Sequence, residues 1–227
     1  MSHARLELPP CQVWGTGFFA PEYATVADAL ADRRRAPAAP AFAMVQGRLR
    51  RFTSLVTQMH LEVCGQALAA AGTPADQVVA VFASEVGETA TSIELLSGML
   101  DQGVASAARF AQSVHSTPSG IFSIAAGKRL PAHALAAGER PFERALFESR
   151  LLALETGRPV LLSIADDVVP KLLGSQRPGV ALAAAVVISA TARPDGLALP
   201  DATASPSAPH LRGSAVFPAL AFLAELS

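Results

Sequence analysis

Sulfur, aromatic rings and charge are all scarce in this chain. Its 227 residues include two cysteines, Cys11 and Cys64, one tryptophan and one tyrosine. Two thiols far apart, with no metal-type spacing around them, argue against a zinc finger and a disulfide framework. Cys64 falls among Val63, Ala67 and Leu68, and both thiols read as buried and inert. Charged residues make up 16% and the net charge is −1. With no basic stripe and no aromatic–basic interleaving, nucleic acid is not an expected partner. The opening M-S-H-A-R-L-E-L-P-P has no apolar signal core. The most apolar stretch, Val180 to Ala190, is well short of the ~20 residues of a membrane span. The expectation is a cytoplasmic protein with no membrane span.

What is abundant is small and aliphatic. Hydrophobic residues reach 51% with only 6% aromatic, and mean hydropathy is +0.35. Ala, Val and Leu supply this character. Two explanations stay open: a large interface with a partner, which resembles a core cut in half, or an alanine-rich genome. Arg33 to Arg35 and Arg48, Arg50 and Arg51 form basic clusters. Their plain role is solvation, and their functional role would be docking of an acidic carrier protein.

Strand and helix patterns alternate along the chain. Gln12 to Phe19 reads as a strand ending in Gly15-Thr16-Gly17, and Pro21 to Arg35 as a helix. Ser54 to Ala71 carries apolar positions at helical spacing and is stopped by Gly72-Thr73-Pro74. Val78 to Ala83 is a β-branched run suited to a buried strand, followed by a turn at Ser84-Glu85-Val86-Gly87 and a helix from Glu88 to Gln102. Pro118 to Gly127 is a helix with side chains small enough for a buried middle layer. Strands follow at Ala132 to Ala137, Pro159 to Ala165 and Ala181 to Ala190, with a helix from Arg140 to Thr156, where Arg144 and Glu148 can pair at i,i+4. Residues 193–216 read as a proline-containing loop, and a short helix from Pro218 to Leu226 closes the chain. The alternation predicts one α/β domain over residues 1–227, its sheet covered on both faces.

The corner from Pro131 to Thr156 carries the most information. A small-residue strand meets Gly138, and a helix opens with Pro141 in its first turn. Such a corner exposes one side chain beside a helix N-terminus, where acyl-transfer enzymes hold a nucleophile. Here that residue is Glu139, a carboxylate. A carboxylate in that place also has a capping role, worth roughly 0.3–1 kcal/mol through the helix dipole.

Other constellations are weaker. Gly15-Thr-Gly17-Phe-Phe-Ala20 fits a dinucleotide fingerprint, but Pro21 falls where the phosphate-binding helix should already run. A tight structural turn is the preferred reading, and no cofactor is expected. His60, His115 and His133 are the interior histidines. A metal site of His115, His133 and Glu139 is conceivable, but no H-x-x-x-H or H-E-x-x-H spacing supports it. Core or interface roles are preferred, and no metal is expected.

The run from Ser106 to Asp166 resembles β-ketoacyl synthases, the condensing enzymes of the thiolase fold. Phe82-Ala-Ser-Glu-Val-Gly-Glu88 and Ser113-Val-His-Ser-Thr-Pro-Ser-Gly-Ile-Phe-Ser-Ile-Ala125 resemble more closely the β-ketoacyl synthase-like N-terminal domain family. Its members are half-length, chain-length-factor-like proteins of type II polyketide and aryl-polyene clusters. The resemblance implies the N-terminal half of a thiolase-like fold, layered α/β/α around a mixed five-stranded sheet. It places Glu139 on the position of the nucleophilic cysteine. Ser116 stands where the family pattern has Asn. The triad histidines belong to a C-terminal half that this chain ends before.

The resemblance therefore implies no condensation activity from the chain alone, and no catalytic residue. An acyl-Glu would be an anhydride, hydrolysed rather than extended. The implied role is a subunit that pairs with a full-length ketosynthase, shapes its acyl tunnel in polyketide or fatty-acid-like biosynthesis, and meets an acyl carrier protein. The strand Ala132 to Ala137 becomes an exposed edge that pairs across the dimer axis. Ser84, Glu85, Arg109, Phe110, Val114, His115, Ser116, Thr117, His133, Leu135 and Glu139 become partner-facing or pocket residues. The alternative is a stand-alone acyl-thioester hydrolase or decarboxylase using Glu139 with His115 or His133. A homodimeric scaffold is the third reading.

Overall fold

A computed structural model describes residues 9–127, 129–138, 140–168, 180–200, 208–211 and 213–226. Six strands form one mixed sheet: β1 (Gln12–Phe19), β2 (Val79–Ser84), β3 (Ala132–Ala136), β4 (Val160–Asp166), β5 (Leu182–Ser189) and β6 (Leu197–Ala198). Their order is β3-β2-β4-β5-β1-β6. β2 runs parallel to β3 and β4, and β5 runs antiparallel to β4 and β1. Five strands were expected. The sixth is a two-residue strand that pairs with Gln12 and Val13 from within the predicted 193–216 loop. The helices are α1 (Val26–Leu30), α2 (Leu55–Ala71), α3 (Thr89–Gln102), α4 (Ala107–Gln112), α5 (Thr117–Ala125), α6 (Pro141–Thr156) and α7 (Phe217–Glu225).

Two apolar layers sandwich the sheet. On one face Met59, Val63, Cys64 and Ala67 of α2 and Phe122 of α5 pack on Ala80, Phe82, Leu161 and Val187. On the other, Phe142 and Leu146 of α6 and Leu220, Phe222 and Leu223 of α7 pack on Val81, Leu162, Ile164 and Val186. Phe142 meets Phe222 edge to face at 5.5 Å. The C-terminal helix thus covers its own sheet. β2, β4 and β5 are buried along their whole length, as strands covered on both faces must be.

Helix α2 has clear boundaries. The Ser54 side chain accepts from the Thr57 N–H at its start, and Gly72 ends it in the left-handed region at φ 58°. Both cysteines are buried. The predicted helix over Pro21 to Arg35 shrinks to Val26–Leu30. It starts at Thr25, which accepts from the Asp28 N–H, and stops at Asp32 with φ 52°. The segment from Thr117 to Ala125 is not a buried middle layer: only Thr117, Pro118, Ser119 and Phe122 are buried, and Ile124 is exposed.

The Gly15/Gly17 pair does not form a turn either. Both lie inside β1, facing Val187 and Ala185 across the ladder. A Cβ on Gly15 would stand 2.4 Å from the Ala67 carbonyl oxygen, and one on Gly17 would stand 2.3 Å from that of Val63. The spacing serves close helix-on-strand packing, with helix backbone as the obstructing group. Gly17→Ala therefore forces α2 away from β1. The expected cost is about 1–3 kcal/mol, read as a lower denaturant midpoint at unchanged m-value. An unchanged midpoint would show that the two elements are not in register here.

Candidate functional site

The C-terminal ends of the parallel strands converge on a buried carboxylate. Asp166, the last residue of β4, accepts from the Ser84 hydroxyl at 2.6 Å and from the backbone N–H groups of Glu85 and Val86 at 3.0–3.1 Å. Ser84 Oγ in turn accepts from the Gly87 N–H. The β2–α3 turn is thereby wrapped around one carboxylate. His115 packs onto it: a Cβ on Gly87, whose φ is 52°, would lie 2.7 Å from His115 Nδ1. Burial raises the Asp166 pKa to about 6, opposed by its hydrogen bonds and by His115. One layer deeper, His60 of α2 pairs with the Ser163 hydroxyl at 2.8 Å and meets Phe82 edge-on. Burial lowers its pKa to about 3, so it stays neutral.

A second buried carboxylate ties α3 to α2. Glu88 is 4% exposed. Its Oε1 accepts from Ser54 Oγ at 2.6 Å and Thr57 Oγ1 at 2.7 Å, and its Oε2 accepts from Thr91 Oγ1 at 3.0 Å. Above it opens a cleft of about 520 Å³ between the start of α2, the start of α3, and α4, with Arg51, Arg109 and Gln112 in its walls. Arg109 also holds Glu94 at 2.6 Å.

The predicted site residues divide between the two faces of the sheet. Ser84, Glu85 and His115 meet at the Asp166 clamp. Thr117 is buried and donates to the carbonyls of Ala111 and Val114, closing the α4–α5 junction. Phe110 is 60% exposed and Val114 37%, while Ser116 is the exposed N-cap of α5. His133 and Leu135 face the other way. In the parallel register they stand beside Val81 and Ala83, on the α6 face, where His133 lies 3.9 Å from Glu148. The opposite faces rule out a metal site shared by His115 and His133. Glu139 lies outside the described residues. The corner around it is present: β3 ends at Ala136, Gly138 adopts φ 64°, and α6 opens with Pro141. Among the described residues no group of three or more His, Cys, Asp or Glu could hold a metal. No described helix is long and apolar enough to cross a membrane.

Asp166, Glu88, and the His60–Ser163 pair were not singled out from sequence. Apart from Thr91, three positions from Glu88, their partners lie 31 to 103 positions away along the chain, and no local pattern announces them. Of the basic clusters, Arg33 and Arg34 are bound to Asp28, Asp32 and Glu22, and Arg50 is stacked on Phe42.

Comparison with known proteins agrees with this architecture. The ketosynthase (ApeO) in complex with its chain length factor (ApeC) from Xenorhabdus doucetiae matches with TM-score 0.63 and 23% identity, over 81% of this chain and 80% of that chain. A β-ketoacyl synthase from Burkholderia phymatum matches with TM-score 0.63 and 15% identity, over 80% of this chain and 59% of that chain. The ishigamide ketosynthase/chain length factor matches with TM-score 0.64 and 14% identity, over 84% and 64%. This chain thus spans less than two thirds of the latter two. The fold is thiolase-like. The model of the β-ketoacyl synthase, N-terminal domain, matches residues 24–215, and the chain belongs to that family. No curated protein matches the sequence.

Two buried groups set opposing pH dependences. Asp166 has a raised pKa, so its contribution to stability is full below about pH 4 and is lost as pH rises through about 6. His60 has a lowered pKa, so its contribution is full above about 6.5 and is lost as pH falls toward about 3. Between about pH 7 and about pH 4.5 the two offset each other. Over that range the Tm of Asp166→Asn, relative to the parent, should fall as pH is lowered. That of His60→Asn should rise. Parallel curves for both variants would refute the assignment.

Proposed function

We propose that the chain is a non-catalytic, chain-length-factor-like subunit that pairs with a full-length ketosynthase and shapes its acyl tunnel in polyketide or fatty-acid-like biosynthesis. The observation that carries this reading is the open edge of the sheet. β3 is terminal in the strand order, and its Ala134 and Ala136 side chains are exposed. Ile124 of α5, 62% exposed, and Phe147 of α6, 49% exposed, belong to the two helices that pack on β3. An unpaired edge of small residues between exposed apolar side chains is a surface built to receive another strand.

Three further points support the reading. Structures with this fold include complexes named as a ketosynthase with its chain length factor, and a type II acyl-carrier protein with its ketosynthase. Phe110 and Arg109 are exposed on α4, beside the 520 Å³ cleft, and the family resemblance assigns them to closing the tunnel floor. Glu139 occupies the nucleophile's place in sequence and cannot form a stable thioester-derived intermediate. An acyl carrier protein is the further partner, with Arg35 and Arg48, one from each basic cluster and both exposed, the residues this reading assigns to its acidic surface.

Co-expression with a ketosynthase from the same gene neighbourhood should give one species on size-exclusion chromatography at micromolar concentration. Ala134→Lys, on the solvent side of the edge, should weaken pairing by about tenfold or more while the chain's own Tm stays unchanged. Separate elution of the two parent proteins would sink the reading, as would indifference of the pair to a charge on β3.

A further inference from the structure

The cleft above Glu88 is lined by polar and aliphatic groups in about equal measure. Its walls carry Arg51, Ser54, Thr91, Arg109 and Gln112 beside Leu55, Val56, Ala90 and Ala108. A volume of about 520 Å³ is within the range of small-molecule sites. An alkyl end placed there would strip water from guanidinium, amide and hydroxyl groups and return no hydrogen bond. A charged end fares no better. The lining combines the carboxylates of Glu88, Glu94 and Asp167 with the guanidiniums of Arg51 and Arg109, so an anion and a cation each meet like charge. A neutral oxygen satisfies both halves. A hydroxyl donates to a carboxylate and accepts from Arg51 or from the Gln112 amide, and a keto oxygen accepts from the same two donors.

We infer that this cleft reads the chemistry of the acyl chain's distal end, selecting a neutral hydroxyl or keto function over an alkyl terminus, with Arg51 and Gln112 as the donors that discriminate. The inference rests on the tunnel reading above and adds a chemical preference to it. Glu88 keeps the floor in place. Its oxygens are already shared among three hydroxyls, so it positions Ser54 and Thr91 at the base of the cleft. Arg109 is held by Glu94, which leaves Arg51 and Gln112 as the more adjustable groups.

The test uses amide analogues of ω-hydroxyoctanoyl-pantetheine and octanoyl-pantetheine, titrated calorimetrically into the full chain paired with its ketosynthase. The hydroxylated probe should bind about tenfold more tightly, the scale of one hydrogen bond in a partly open site. The preference should vanish in Gln112→Leu with Arg51→Leu. Arg51 is exposed and Gln112 half-buried, and circular dichroism checks that the variant is folded. The same probes are titrated into the chain alone, following the backbone amide signals of Gly87 and Thr91. There the hydroxylated probe should shift both signals at lower concentration than the alkyl one. Equal or tighter binding of the octanoyl probe in either arm overturns the inference, as does a preference that survives the double variant. Failure of the two proteins to pair counts against the proposed function only, and the chain-alone arm then decides this one.

Discussion

One carboxylate at the sheet's end organises the upper side of the molecule. Asp166 gathers a hydroxyl and two backbone N–H groups from the β2–α3 turn. A buried carboxylate is costly unless such donors surround it. Meeting that requirement determines where β2 stops and in which direction the chain leaves it. Everything that follows the turn inherits this direction: α3, then α4 with Arg109 and Phe110, then His115 returning to lie on Gly87. Glu88 repeats the device one residue further on, binding the start of α3 to the start of α2 through three hydroxyls. The cleft exists because these two anchors hold α3 at its first turn while the rest of the helix stands away. Thr91 is its one buried residue.

The lower side is held by shape. Glycines at positions 15 and 17 let β1 touch the backbone of α2, and dense aliphatic packing fills both faces of the sheet. Helix α7 lies beside α6 over β4 and β5, so the chain covers that face of its sheet with its own residues. Among the described residues, exposed apolar side chains include Ile124 and Phe147, on the helices that pack on the open β3 edge, and Leu96 and Leu100 on α3. The apolar excess of the composition is therefore used in a dense interior and in side chains left at the surface. The second use is where the proposed partner would act.

Much of the fold was legible in the residues. The limits of β1 and α2 follow from periodicity plus Ser54 and Gly72, because caps and turns are local chemistry. The strand-to-helix corner was legible for the same reason: Gly138 supplies a left-handed backbone, and proline opens a helix readily. Errors arose where local preference was overruled or silent. The Pro21 to Arg35 stretch has helical composition, yet Asp32 turns into the left-handed region, and the Arg35 and Ala38 N–H groups bond back to the Glu22 and Pro21 carbonyls in place of a helical ladder. Residues 193–216 look like loop, yet Arg193 stacks on Trp14 at 3.5 Å. The same loop then lays Leu197 and Ala198 along β1.

The sequence alone determined the class of the fold, its family, the position of the corner and the kind of residue that stands in it. These depend on periodicity, on glycine and proline, and on side-chain identity, all of which are local. Only the tertiary structure decided that Asp166 and Glu88 are anchors, that His115 and His133 lie on opposite faces, and that β3 is left at the border. Each of these depends on groups brought together across long stretches of chain, where burial gives a charge or an unpaired edge its consequence.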